Sequence, residues 1–339
     1  MSPTTAVPVA VPSPVDGIAF TEHTVNGIRM RVAGCGPADG PLVVCCHGWP
    51  ESWYSWRHQL LALGAAGYRA VAPDMRGYGG TEAPEAIDQY SILHLVGDTV
   101  DLVGALTPRG QAPRAVIVGH DWGAPVAWNA ALLRPDVFRA VAGMSVPWTP
   151  PSRTDLLSAL RKQGITTFYM QYFQAPGVAE AEFERDVTES LRRIHYSGSG
   201  DAPPRATFGV LGEGKGFLDG TVRPDSQPEW MTEADLAYYA GEFSRAGFRG
   251  GLNWYRNLRR NFELMAPWRG CVIRQPSLFI AGERDGVLKF PASKAQIDAY
   301  AQTLPCLRGC HILAGAGHWV QRERAAEVNA LLLGFLRGL

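Results

Sequence analysis

The sequence predicts an α/β protein in which a mostly parallel central sheet is flanked by helices and a mainly helical segment is inserted before the last strands. Three observations carry this. Apolar runs of strand length at Leu42 to Cys46, Ala115 to Val118 and Ser277 to Ala281 each lead into a Gly-containing turn. The second passes through Gly119-His120-Asp121-Trp122-Gly123 into a helical pattern. The stretch from Trp148-Thr149-Pro150-Pro151 to Gly270 reads mostly as helix, and within it Thr232 to Asp235 forms a capping-box pattern opening a helix that Gly247 ends. A length of 339 residues suits about two domain equivalents. The expected division is a flexible N-terminal arm at 1–19, a core at 20–146 and 270–339, and a helical cap domain at 147–269.

A strand, a tight Gly-x-nucleophile-x-Gly turn and a helix make the nucleophile elbow of α/β-hydrolases, whose central residue is usually Ser. Here it is Asp121. A serine alkoxide attacking saturated carbon would give an ether that water cannot readily cleave. A carboxylate gives an ester, which keeps a carbonyl for water to attack, and it is ionised at neutral pH without a base. The expected substrate is therefore an sp³ electrophile, an epoxide or an alkyl halide. The alternative for Asp121 is an ordinary helix cap.

An elbow of this kind needs an acid and then a histidine later in the chain. Asp285 follows the run Ser277 to Ala281, and His318 follows Ile312-Leu313, each where a strand should end. Upstream, Leu42 to Cys46 leads into His47-Gly48-Trp49-Pro50-Glu51-Ser52-Trp53. The oxyanion donors are expected to be the backbone N–H groups of Trp49 and of Trp122, the residue after the nucleophile. Pro50 is a candidate for a cis peptide.

The leaving group separates the two electrophiles. Chloride departs with hydrogen bonds alone, whereas a ring-opened alkoxide needs a proton donor, and neutral phenols supply one. Tyr169 lies in Phe168-Tyr169-Met170-Gln171-Tyr172 and Tyr255 in Asn253-Trp254-Tyr255-Arg256. Together HGWPESW, DMRGYGGT, GHDWG, YMQYFQAPGVAEAE, GFRGGLNWYRN and GHWVQ, in this order, resemble the soluble epoxide hydrolases of the α/β-hydrolase superfamily, over nearly all of residues 20–338. The resemblance implies Asp121 as nucleophile, His318 as general base, Asp285 as its orienting acid, and Tyr169 with Tyr255 as paired acids at the epoxide oxygen. The Gly- and Pro-rich segment 197–229 has no close counterpart in it. Phe173 and Trp319 are expected to line the pocket, which would lie between core and cap.

Thirty-two Lys plus Arg balance thirty-two Asp plus Glu, so no net field draws nucleic acid or anionic lipid. The expected partners are water and a small, neutral, largely apolar epoxide, with no cofactor, no metal and no membrane insertion. Oligomeric state is open, a homodimer being one form the sequence allows. The first fourteen residues carry four prolines and no basic residue, unlike a signal peptide. Of the six cysteines, Cys45 and Cys46 sit in an apolar run, and Cys306 with Cys310 has no second ligand pair, so a reduced, cytoplasmic, zinc-free protein is expected. The Asp74 to Gly80 loop is read as structural, its charges pairing locally. Two competing readings are a haloalkane-type dehalogenase with the same nucleophile and a catalytically silent binding module.

Overall fold

The computed structural model describes residues 11–204 and 209–339. Its strands are β1 (Val11–Pro12), β2 (Ala19–Val25), β3 (Ile28–Cys35), β4 (Leu42–Cys46), β5 (Arg69–Pro73), β6 (Ala115–His120), β7 (Phe138–Met144), β8 (Ser277–Gly282) and β9 (Leu307–Leu313). They form one sheet in the order β1-β2-β3-β5-β4-β6-β7-β8-β9. The first three pair antiparallel, and β4 to β9 are mutually parallel.

Fourteen α-helices occur among the described residues. Three precede β7: α1 (Arg57–Ala65), α2 (Ile92–Leu106) and α3 (Gly123–Leu133). Between β7 and β8 the chain adds no strand to the sheet and carries α4 (Leu156–Lys162), α5 (Tyr169–Tyr172), α6 (Val178–Phe183), α7 (Val187–Gly198), α8 (Glu233–Ala246), α9 (Arg249–Arg256) and α10 (Leu258–Leu264). The last four are α11 (Pro291–Asp298), α12 (Tyr300–Thr303), α13 (Val320–Glu323) and α14 (Ala325–Arg337).

Side chains of a strand alternate between faces. Val44, Cys46 and Ile117 therefore join the core under α2 and α3, with Leu95, Val103 and Trp128. Val43, Cys45, Val116 and Val118 join the opposite core under α1 and α14, with Leu60, Leu332 and Phe335. Burial on both faces is why these strands read as unbroken apolar runs.

Several expectations are corrected. The arm expected at 1–19 contains an edge strand, since Val11–Pro12 pairs with Ala19 and Phe20; Pro12 has no N–H to offer a ladder, which suits an edge. Residues 1–10 lie outside the described residues, as do 205–208 of the 197–229 segment. The charges of the Asp74 to Gly80 loop pair at a distance rather than locally. Arg31 Nε donates to Asp74 Oδ2 at 2.7 Å, and Arg76 Nε and Nη2 donate to Asp98 Oδ2 and Oδ1 at 2.8 and 2.6 Å. Both Arg76 and Asp98 side chains are 1% exposed. Asp98→Ala strands a buried guanidinium and is expected to lower the unfolding free energy by about 3–5 kcal/mol in urea titration; a loss below about 1 kcal/mol would show that Arg76 finds water.

Thr232 caps α8 as the pattern predicted. Its N–H donates to Asp235 Oδ2 at 2.8 Å, the Asp235 N–H donates back to Thr232 Oγ1 at 3.2 Å, and Gly247 ends the helix at a φ of 71°. This helix also ties the insertion to the core. Tyr54 Oη donates to Asp235 Oδ1 at 2.8 Å, and Arg31 pairs with Glu242.

Candidate active site

Strand β4 lies between β5 and β6, so the chain runs from it first to one side and later to the other. Ligands of open α/β sheets collect beyond the strand ends at such a reversal. The loop after β4 carries Trp49, and the turn after β6 carries Asp121.

Asp121 has a φ of 49°, a conformation that non-glycine residues seldom adopt and that active sites hold by their surroundings. The capping alternative for it fails, because the N-cap of α3 is Trp122. Two close approaches keep the turn tight. A Cβ on Gly123 would lie 2.0 Å from the Cys46 carbonyl oxygen, and one on Gly48 would lie 2.3 Å from Asp121 Oδ1. The Trp49 N–H donates to Asp121 Oδ1 at 2.7 Å. The Trp122 N–H makes no hydrogen bond among the described residues, so of the two expected donors only Trp49 already holds the carboxylate. The Trp49–Pro50 peptide is cis, as Pro50 suggested.

Facing the other carboxylate oxygen is His318, whose Nε2 lies 3.4 Å from Asp121 Oδ2. On the far side of the ring, Nδ1 is 3.1 Å from Asp285 Oδ1 and 2.9 Å from Ser145 Oγ. The backbone of His318 is fixed at both ends: its N–H donates to the Gly198 carbonyl at 2.8 Å, and its carbonyl accepts from His120 Nε2 at 2.7 Å. His120 Nδ1 in turn meets Glu51 Oε2 at 2.7 Å, both side chains being fully buried.

Tyr169 opens α5 and Tyr255 lies in α9, their ring centroids 6.0 Å apart. Both face a cavity, open in part to solvent, that also meets Asp121, His318 and Asp285. The insertion contributes Tyr169, Ile194, Phe217 and Tyr255 to its wall. The core contributes Trp49, Pro50, Val287, Phe290 and Trp319. Trp319 therefore stands where the sequence placed it, whereas Phe173 does not line the cavity. Phe173 is fully buried behind the wall, its ring 5.0 Å from Tyr255, 5.5 Å from Tyr169 and 5.2 Å from Trp49. It sets where those rings stand.

Burial pushes both phenols well above the ordinary tyrosine range, and the Asp121 charge adds to this, so each keeps its proton at neutral pH. Burial pushes the Asp285 carboxyl upward as well, but His318 nearby, its hydrogen bond, the Ser145 hydroxyl and the Val287 N–H outweigh that and hold the carboxyl below its usual range. Burial likewise opposes charge on His318. Asp285 and Asp121 together overcome it and raise the imidazole well above its ordinary value.

The Asp121 carboxylate, the His318 imidazole, buried Asp285 and the two phenols thus meet at one cavity. Residues 41–325 match the family model described as alpha/beta hydrolase fold. The chain is 47% identical over 328 residues to Epoxide hydrolase A of Mycobacterium tuberculosis, with 95% of this chain and 98% of that protein covered. The chain belongs to the epoxide hydrolases of the α/β-hydrolase superfamily. The solved structure of an epoxide hydrolase from an endophytic Streptomyces superposes with a TM-score of 0.90 at 46% identity, covering 96% of each chain. Bifunctional epoxide hydrolase 2 of Rattus norvegicus is 36% identical, and the match covers 97% of this chain but 57% of the rat protein.

Within this epoxide hydrolase, several residues at the site escaped sequence reasoning. Ile194, Phe217, Val287 and Phe290 line the cavity, but an apolar residue in a helix or loop carries no local mark of the side it faces. Glu51 and His120 lay inside motifs already singled out, and their adjacency to Trp49 and Asp121 was a usable signal. Ser145 had none. Its only mark is a place just past an apolar run. Among the described residues no group of three His, Cys, Asp or Glu could hold a metal ion, and no helix is long and apolar enough to cross a membrane. All six cysteines are free, with Cys45 and Cys46 buried.

Proposed function

We propose that this enzyme converts an epoxide and water to a vicinal diol through a hydroxyalkyl ester on Asp121, with residues 147–269 acting as a cap that carries the acid groups. The observation that carries the reading is the pair of phenols facing Asp121 across one cavity. Two neutral donors opposite a carboxylate suit an electrophile whose leaving oxygen needs a proton, and halide departure asks for none. The apolar lining suits a small neutral epoxide.

In the first step an Asp121 oxygen forms a bond to a ring carbon as the carbon–oxygen bond breaks behind it. A phenol proton passes to the departing oxygen, leaving a neutral ester and a phenolate stabilised by its partner. Esterification removes the Asp121 charge, and with it one of the two attractions that hold His318 protonated. The imidazolium gives its Nε2 proton to the phenolate, and the imidazole left behind is a base at the moment a base is required. It takes a proton from water attacking the ester carbonyl, while the Trp49 and Trp122 N–H groups stabilise the oxyanion. Collapse breaks the acyl–oxygen bond, the second water proton passes from the new acid to the departing alkoxide to complete the diol, and the Asp121 carboxylate is left beside a protonated His318 as at the start.

This route assigns the oxygens. In a single turnover in ¹⁸O-water with enzyme in excess, the first diol should carry no label and the Asp121 peptide should gain one ¹⁸O. Label in the first diol would mean that water attacks the epoxide directly.

A further inference from the structure

We propose that Ser145 is a positioning residue for His318, its hydroxyl sharing the Nδ1–H with Asp285 and returning its own proton to the Asp285 carboxylate. The inference rests on the general-base role proposed for His318. Ser145 follows β7, is fully buried, and has a φ of 67°. The Val146 N–H donates to the Met144 carbonyl at 2.8 Å, so the chain folds about Ser145 in a three-residue turn, a rare and strained form when the central φ is positive. Strain of this kind persists where surrounding structure enforces it, and it clusters at functional sites. Here it brings Ser145 Oγ to 2.9 Å from His318 Nδ1, closer than the 3.1 Å of Asp285 Oδ1.

Proton counting then fixes the roles. His318 can act as a base at Nε2 only if Nδ1 carries the hydrogen, so Ser145 Oγ must accept at that contact. The serine proton has to point elsewhere. Asp285 Oδ1 is already occupied by His318 and by the Val287 N–H at 2.9 Å, whereas buried Oδ2 has no partner of ordinary geometry. A hydroxyl is uncharged and can accept from the ring and donate to the carboxylate through one and the same atom. Glycine would suit a φ of 67° better, yet the position holds serine.

The test compares Ser145→Gly, which relieves the backbone, with Ser145→Ala, which does not; both remove the hydroxyl. Rapid mixing with a reactive aryl epoxide resolves ester formation from ester decay, and the reacting amplitude reports the folded fraction. Both variants should form the ester at a rate within about twofold of wild type and release it at least about tenfold more slowly, a part of the ~10²–10⁴-fold general-base effect because the imidazole itself remains. Ser145→Gly should keep full amplitude and thermal stability. Wild-type decay in Ser145→Gly would overturn the proposal, leaving Ser145 a backbone feature only. Equal slowing of both steps would also overturn it. Should neither wild type nor His318→Gln ever form an ester, the covalent route itself fails and this proposal falls with it.

Discussion

Replacing His318 with glutamine should yield an enzyme that alkylates itself once and stops. The first step uses Asp121, held by the Trp49 N–H at 2.7 Å, and two phenols on the opposite wall, none of which glutamine removes. The second step needs a base between Asp121 and Asp285, where the imidazole bridges gaps of 3.4 and 3.1 Å. An amide cannot take a proton from water. General-base assistance typically contributes about 10²–10⁴-fold, so decay of the ester should slow by at least that lower figure while its formation persists. Intact-mass measurement after exposure to an aryl epoxide should find the protein heavier by the whole epoxide, with fragmentation placing the addition on Asp121. A protein of unchanged mass that still makes diol would refute the ester route. A mass gain located elsewhere would move the nucleophile.

What could be read from the chain before the fold was known follows the reach of each signal. The strands β4, β6 and β8 were legible because both their faces are covered and their apolar runs are unbroken. The elbow was legible because a tight turn demands glycine at set offsets, so Asp121 announced itself within five residues. Asp285 and His318 followed from chain order and strand ends. Signals that join distant segments were silent. Nothing local in Arg76 names Asp98 as its partner, and nothing in Phe173 distinguishes the wall of a cavity from the layer behind it. Ser145 shows the limit most clearly, because its importance lies in a positive φ and a contact 173 residues away. The β1 edge strand was missed for another reason: two residues beside a proline give no period to read.

The double replacement Tyr169→Phe, Tyr255→Phe should abolish epoxide opening while leaving the fold and the nucleophile in place. Phenylalanine keeps the rings, and so keeps the packing of Tyr169 against Phe173 and Phe217 and of Tyr255 against Trp122, at centroid distances of 5.5, 5.9 and 5.1 Å. It removes only the two hydroxyls. Burial and the nearby Asp121 charge keep both phenols protonated, so in the wild type two donors stand ready for one oxygen. Each single variant should retain opening through the remaining phenol, reduced by about 10²–10⁴-fold, the ordinary scale for general-acid assistance. The two losses should not add, since residues serving one atom couple strongly. The measurement is ester formation in a single turnover. An activated alkyl halide of the same size supplies the control, because displacement of halide asks for no proton: the double variant should still be alkylated at Asp121 by the halide and no longer by the epoxide. Loss of both reactions would mean that the phenols shape the cavity rather than protonate, and unchanged epoxide opening would assign the acid to another group.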